Sequence, residues 1–170
     1  GDDTEIQAVT EEGKFQERKS LSDIDRTLLD FTDLVVCKDG ILRYTYIDEK
    51  KSSTIWMNTL DISKNMVGEA KQLPDDFMLQ GHSCVAEGEC MADVVYATMN
   101  GVYSINMGDT ETNQIMSFVN SDVPTTNMNH FVILDETRFV GFYYDSYKFF
   151  QVVSLFTQRN PEDIKDTTVV

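Results

Sequence analysis

A short unit recurs along this chain: a run of apolar and aromatic residues, a turn, and a second such run. The three copies cover residues 34–47 with Asp39-Gly40 at the turn, residues 94–107 with Asn100-Gly101, and residues 139–156 with Asp145-Ser146. Asp-Gly or Asn-Gly between strand-like runs favours a two-residue type I′ turn, in which both central residues have a positive φ. The recurrence therefore predicts a series of antiparallel β-hairpins.

Further strand-like runs accompany each hairpin. They cover residues 53–60 and 66–73 after the first, residues 82–88 and 114–119 around the second, and residues 130–134 before the third. These runs predict three meander sheets of four, four and three strands. An edge strand at residues 14–20 is available to complete the third sheet, and the apolar spacing within residues 21–31 permits one short N-terminal helix.

The spacing of the hairpins indicates the fold class. Their first residues, Leu34, Val94 and Phe139, are 60 and then 45 residues apart, and four strands every 40 to 50 residues or so are typical of β-propeller blades. We therefore expect an all-β chain of antiparallel meander sheets resembling about three propeller blades. A β-sandwich or barrel is the alternative, because it also uses many short strands.

The expected organisation has three parts. Residues 1–12 are acidic and polar and predict a disordered or extended tail. Residues 13–158 are expected to form a single β domain, and residues 159–170 a C-terminal tail or linker. Because a closed propeller typically needs four to eight blades, a structural fragment of a larger propeller is one interpretation of the chain.

Charge and hydropathy limit the partners. The formal net charge is −15, which argues against binding to nucleic acid or to anionic lipid, since both need Lys and Arg. No run of apolar residues is long enough to predict a transmembrane segment. The chain begins with Gly rather than Met, which favours a processed or recombinant product from which a targeting segment has been removed.

The three cysteines, Cys37, Cys84 and Cys90, are an odd number and do not indicate a disulfide framework. Cys37 lies in an apolar run and is expected to be a small buried residue. Cys84 and Cys90 flank a short bend, so a local disulfide between them is one alternative. With His82 they also form a cluster of soft ligands, but the spacing lacks the paired pattern of zinc sites.

Two patterns suggest ligand sites. The first is a loop with four oxygen-bearing side chains, which makes weak calcium binding an alternative to a cofactor-free protein; these side chains are Asn106, Asp109, Glu111 and Asn113. Polar residues are expected in any such loop. The second is the third hairpin, whose many aromatic residues cannot all enter one core because strand side chains alternate faces. Tyr143, Tyr147 and Phe149 are therefore the candidates for contact with a protein partner or a sugar ring, and cross-strand pairing is the alternative.

No catalytic residues are predicted. The two histidines, His82 and His130, lie in or beside strand-like runs, and no serine occupies a Gly-x-Ser-x-Gly turn. Pairs of carboxylates suited to glycoside cleavage depend on the fold rather than on spacing, so a surface glycan-active enzyme stays the alternative function.

The second half of the chain resembles a known family. The relevant motifs are Val95-Tyr96-Ala97, Asn100-Gly101-Val102-Tyr103, Phe139-Val140-Gly141-Phe142-Tyr143-Tyr144 and Asn160-Pro161-Glu162-Asp163-Ile164. They are similar to the propeller-like region that precedes the ligand-binding domain in some bacterial extracellular solute-binding lipoproteins. The resemblance implies a lipid-anchored position at the cell surface and a role beside carbohydrate uptake. We therefore expect a non-enzymatic extracellular binding or interaction module.

Overall fold

The structure is a computed structural model that describes residues 3–48, 50, 54–74, 79–82, 88–119, 121–125, 127–160 and 163–168. It confirms the all-β class with antiparallel meander sheets. A 3-10 helix at Arg26–Leu29 is the short N-terminal helical segment that the sequence permits. None of the described residues forms a helix with the length and apolar character needed to cross a membrane.

The chain divides into two compact units. The first comprises Gly1–Leu34 and Gly40–Leu73, and the second comprises Val35–Asp39 and Pro74–Val170. The expectation of one β domain over residues 13–158 stays a prediction.

The first unit holds two small sheets. Its strands are β1 (Glu5–Val9), β2 (Phe15–Ser20), β3 (Phe31–Val36), β4 (Ile41–Ile47), β5 (Ile55–Asp61), β6 (Met66–Val67) and β7 (Lys71–Gln72). The last two residues of β3 belong to the second unit. Strand β1 pairs with β2, and β3-β4-β5-β6 form a meander in which β7 also pairs with β5. The N-terminal segment expected to be a tail therefore contains a strand. The predicted fourth strand at 66–73 is divided in two around Gly68, where a Cβ atom would lie 2.7 Å from Thr59 Oγ1.

The second unit contains one eight-stranded sheet. Its strands are β8 (Leu79–His82), β9 (Val94–Thr98), β10 (Gly101–Ile105), β11 (Asn113–Ser117), β12 (Met128–Ile133), β13 (Arg138–Asp145), β14 (Phe150–Asn160) and β15 (Asp163–Thr168). The order β11-β10-β9-β8-β12-β13-β14-β15 joins two four-stranded meanders. They meet at β8 and β12, which pair in parallel with Phe131 opposite Gly81 and Val132 opposite His82.

The strand missing from the third predicted sheet comes from the C-terminal segment. Strand β15 pairs with β14, from Ser154 opposite Thr168 to Asn160 opposite Asp163. It lies in the segment where the sequence predicts a tail or linker. Strand β2, which offered an alternative fourth strand, pairs with β1 instead. The suggestion that residues 14–20 complete the third sheet is therefore wrong.

Both meanders of the second unit share one core. Phe139 occupies its centre, with its ring centroid 4.7 Å from that of Phe156 and 5.9 Å from that of Phe118. Val95, Ala97, Val102 and Met116 extend the same cluster from β9, β10 and β11. The sheet therefore buries residues from both of its halves in one continuous apolar cluster.

The turns of the first two hairpins differ from the predicted type I′. Strands β3 and β4 are joined by four residues, of which only Gly40 has a positive φ, +74°. Strands β9 and β10 are joined by Met99 and Asn100, one position earlier than predicted, and Gly101 pairs with Thr98. A Cβ atom at Gly101 would collide with the Met116 carbonyl oxygen of β11. Close approach of the neighbouring strand, rather than turn geometry, therefore explains this glycine.

A disulfide within the second unit joins Cys37 to Cys90, with the Cα atoms 5.7 Å apart. Cys37 is buried, as the sequence predicts, and its bond to Cys90 uses the sulfur that the alternative pairing with Cys84 would need. Cys84 itself lies outside the described residues. The Lys38 N–H donates to the Gly88 carbonyl over 2.8 Å, beside the disulfide. Sequence spacing missed this bond because its partners are 53 positions apart.

Asp25 organises the core of the first unit. One of its oxygens accepts hydrogen bonds from the Thr27 N–H and hydroxyl, over 2.9 and 2.8 Å, and so caps the 3-10 helix. Its other oxygen accepts the hydroxyl hydrogen of Tyr44 on β4, a side chain that is almost fully buried. Burial and the neighbouring Asp25 carboxylate both raise the pKa of Tyr44, because each disfavours a phenolate.

We expect Tyr44→Phe to lower the free energy of unfolding by about 1.5–3 kcal/mol, because it leaves one Asp25 oxygen without its donor. Tyr46→Phe is the matched control: Tyr46 is also buried in β4, but its hydroxyl donates no hydrogen bond to any described residue. Urea denaturation of both variants at neutral pH makes the comparison. Equal losses would show that the Tyr44–Asp25 bond does not stabilise the unit.

We expect non-reducing peptide mapping by mass spectrometry to find Cys37 linked to Cys90. Replacing either residue with Ser is expected to lower the free energy of unfolding by about 4 kcal/mol, because the bond closes a loop of roughly fifty residues in the unfolded chain. Denaturant titration with and without a reductant measures this loss. A peptide linking Cys84 to Cys90 would contradict the pairing.

Candidate binding site

The tip of the β13–β14 hairpin is held by hydrogen bonds to Asp145. Asp145 pairs with Phe150 at the strand ends, and its carbonyl accepts the Phe149 N–H over 2.8 Å. Its carboxylate Oδ1 accepts the N–H groups of Tyr147 and Lys148 over 3.0 and 3.1 Å. One residue therefore fixes three backbone groups of the four-residue turn at 146–149.

The same carboxylate is stabilised as an anion. Burial acts to raise the pKa of Asp145, but the two N–H donors and the Lys148 ammonium, whose Nζ lies 3.5 Å from Oδ2, outweigh burial and lower the pKa. The carboxylate therefore stays charged, and its hydrogen bonds persist, well below neutral pH. The turn is thus a defined structure rather than a loosely held loop.

Four aromatic side chains at this tip face solvent. Tyr147 is 95% exposed and Phe149 is 80% exposed, and Tyr144 and Phe150 are also exposed. We call these four residues the aromatic tip. The Lys148 ammonium lies 6.0 Å from the centroid of the Phe150 ring, at the limit of a cation–π contact.

Phe149 adopts a backbone conformation that is unusual for its type. Its φ is +58°, in the left-handed region where a residue with a bulky side chain is a genuine outlier. The hydrogen bonds to Asp145 hold this conformation although the Phe149 ring gains little burial there. Such outliers are found more often at functional sites than elsewhere.

The third predicted aromatic residue, Tyr143, does not belong to the aromatic tip. Its hydroxyl lies 3.0 Å from the fully buried Ser154 Oγ, and its ring centroid is 6.3 Å from that of Phe156. The period-two alternation of β13 sends Tyr143 toward the core cluster and Tyr144 toward solvent. This alternation could have identified Tyr143 as a core-facing residue from the sequence.

The loop considered for calcium is organised by its own hydrogen bonds. Asp109 Oδ2 accepts from the backbone and side-chain nitrogens of Asn106, over 2.9 and 3.0 Å, and Asn106 Oδ1 accepts the Asp93 N–H over 3.1 Å. Asn106, Asp109 and Asn113 line one cavity, and Glu111 does not. Among the described residues, no three His, Cys, Asp or Glu side chains lie close enough together to hold a metal ion. Calcium binding stays a prediction.

The soft-ligand cluster falls partly outside the described residues. Cys84 is not described, Cys90 is bonded to Cys37, and the backbone of His82 pairs with that of Val132. The other histidine, His130, lies on β12 with its ring centroid 5.8 Å from that of Phe142, in agreement with its interpretation as a strand residue.

A groove beside β11 was not predicted from the sequence. Two adjoining cavities of about 320 and 570 Å³ share Gln114, Ile115, Glu136 and Thr137. We call them together the β11 groove. The sequence held no signal for it, because its walls come from β11, from the turn between β12 and β13, and from the end of β14.

We expect Phe149→Asn to raise the free energy of unfolding by about 1 kcal/mol, because Asn tolerates the left-handed region and a large side chain does not. Tyr147→Asn is the control, because Tyr147 lies in the same exposed turn and has no positive φ. We expect it to change the free energy of unfolding by no more than about 0.5 kcal/mol. Denaturant titration measures both. A larger loss of stability for Phe149→Asn than for Tyr147→Asn would show that Phe149 is not strained.

No family model and no curated protein matches the chain. The similarity to the propeller-like region of solute-binding lipoproteins stays a prediction.

Proposed function

We propose that this chain is a non-enzymatic extracellular binding module that binds carbohydrate through its aromatic tip. The observation that supports this most directly is the exposure of Tyr147 and Phe149 on a turn that Asp145 holds in one conformation. The binding surface is therefore formed before the ligand arrives, which lowers the entropic cost of binding.

The exposed position of Phe149 does not stabilise the folded chain. A buried phenylalanine contributes about 1.5–3 kcal/mol, most of which an 80% exposed ring forgoes. The left-handed backbone of Phe149 costs a further 1–2 kcal/mol or so. A binding role explains why large rings stand at a position where a small polar residue would be more stable.

The chemistry of the aromatic tip suits a sugar. One face of a pyranose ring presents C–H groups, which pack against the electron-rich face of an aromatic ring. The Lys148 ammonium lies in the same turn, and its N–H donors suit hydroxyl groups. Aromatic stacking with a few polar contacts is sufficient for recognition of an uncharged oligosaccharide.

The disulfide supports a location outside the cytosol. Bonds such as that between Cys37 and Cys90 form and persist in oxidising compartments and are rare in reducing ones. Lipid anchoring at the cell surface and a role beside carbohydrate uptake are parts of the proposal that rest on the family resemblance.

Neither Asp61 nor Asp135 has the electrostatics of the general acid that glycoside cleavage needs. A general acid in a glycosidase needs a raised pKa. Hydrogen bonds from Lys64 and Ser63 instead lower the pKa of Asp61 to about 2. Burial acts to raise the pKa of Asp135, but hydrogen bonds from Arg138 and Thr137 outweigh it and lower that pKa also. Both shifts keep a carboxylate ionised.

The test is a screen of the intact chain on an array of neutral oligosaccharides, followed by calorimetry with the best ligand. We expect Tyr147→Ala and Phe149→Asn each to weaken binding about tenfold or more, as for removal of a central aromatic contact. Because Phe149→Asn is expected to be more stable than the parent, its loss of binding would not reflect unfolding.

Phe15→Ala is the matched control, because Phe15 is a strongly exposed aromatic residue in the first unit. It is expected to leave the affinity unchanged. Absence of binding to every oligosaccharide, or equal losses for Phe15→Ala and Tyr147→Ala, would contradict the proposal.

A further inference from the structure

Strand β11 is an open edge of the eight-stranded sheet. It pairs with β10 alone, and the part of the chain that the structure describes supplies no backbone partner along its other side. Four consecutive residues, Gln114, Ile115, Met116 and Ser117, line the smaller cavity of the β11 groove. Because strand side chains alternate faces, a cavity that touches four in a row runs along the edge of the strand.

The two edges of this sheet differ in their protection. Strand β15 at the far edge has the sequence Asp-Ile-Lys-Asp-Thr-Thr, with three charged residues. Strand β11 has the sequence Asn-Gln-Ile-Met-Ser, with no charge and no proline. Charged edge residues discourage pairing with another strand. Of the two edge strands, only β15 therefore has charged residues that discourage pairing with another strand.

The opposite wall of the β11 groove is held in place. Asp135 accepts hydrogen bonds from the Thr137 N–H over 2.8 Å and from Arg138 Nε over 2.7 Å, which fix the turn between β12 and β13. The Gln158 N–H donates to the Thr137 carbonyl over 2.7 Å and ties the end of β14 to this turn. The space beside β11 is thus bounded by a stable structure.

Two opposite charges on that wall are unpaired. Glu136 and Arg159 both line the smaller cavity, and neither makes an ion pair or a side-chain hydrogen bond with any other described residue. Glu136 also lines the larger cavity, beside the N-terminal half of β11. A ligand lying along β11 therefore meets one carboxylate and one guanidinium that have no partner among the described residues.

We infer that the β11 groove binds an extended peptide segment, which adds to the sheet as a strand beside β11 and pairs one basic and one acidic side chain with Glu136 and Arg159. Main-chain hydrogen bonds to the open edge supply affinity and are independent of sequence, while the two charges supply selectivity. This site is separate from the aromatic tip, which lies at the other end of the β13–β14 hairpin.

The test uses two capped pentapeptides, Lys-Val-Thr-Val-Glu and its reversal Glu-Val-Thr-Val-Lys, because the strand can add in either direction. We expect saturable binding of one of them, with slower exchange of amide hydrogens in residues 113–117 measured by NMR. Glu136→Gln and Arg159→Gln are each expected to weaken it about two- to fivefold, as for a partly exposed ion pair.

Backbone methylation tests the mode of binding. Methylating the second and fourth peptide nitrogens blocks one edge of the added strand, and methylating the first, third and fifth blocks the other. We expect one methylated peptide to lose binding and the other to keep it, since only one edge faces β11. Equal binding by both methylated peptides would overturn the inference.

Lys165→Gln on β15 is the charge control, and Phe149→Asn is the control for the aromatic tip; both are expected to leave peptide affinity unchanged. Three other results would overturn the inference: no binding by either peptide at millimolar concentration, protection of residues 113–117 by self-association seen in light scattering, or protection of the same residues by a neutral oligosaccharide.

Discussion

The second unit depends on a short parallel contact between β8 and β12. Each of these strands begins a four-stranded meander, and their pairing joins the two meanders into one sheet. The joined sheet packs residues of both halves into a single core around Phe139. Because the first strands meet at the middle of the sheet, the last strands, β11 and β15, become its edges. The position of the β11 groove follows from this one pairing.

The aromatic tip and the β11 groove, the two proposed binding surfaces, lie at opposite ends of the β13–β14 hairpin. At one end, Asp145 binds backbone N–H groups and fixes exposed rings. At the other end, Asp135 binds the Thr137 N–H and holds a turn that forms the wall of the groove. In both, a carboxylate with a lowered pKa accepts local donors and is used for structure. Neither carboxylate is therefore positioned as a proton donor.

The sequence allowed the elements of the fold to be predicted well. Alternating apolar runs separated by Asp, Asn and Gly located most strands to within a few residues, since this pattern depends only on local chemistry. Features that require contacts between distant segments were missed. Strand β15 has too few apolar residues to be recognised, the Cys37–Cys90 pairing spans 53 positions, and the parallel pairing of β8 with β12 has no local signature.

The candidate site was predicted in part for the same reason. Crowding of aromatic residues at 142–150 showed that some must face solvent, and the structure places Tyr147 and Phe149 there. Tyr143 was assigned to the same group although its position in β13 directs it to the core. The β11 groove could not be predicted, because Glu136 and Arg159 become neighbours of β11 only through the tertiary fold.

The covalent link between Cys37 and Cys90 has a consequence for the integrity of the molecule after proteolysis. The loop that it closes contains strands β4 through β8 and ends just before β9. A protease that cuts any single peptide bond within this loop leaves both fragments in one molecule. In an oxidising, protease-rich environment such a nicked chain keeps every residue that forms the aromatic tip and the β11 groove.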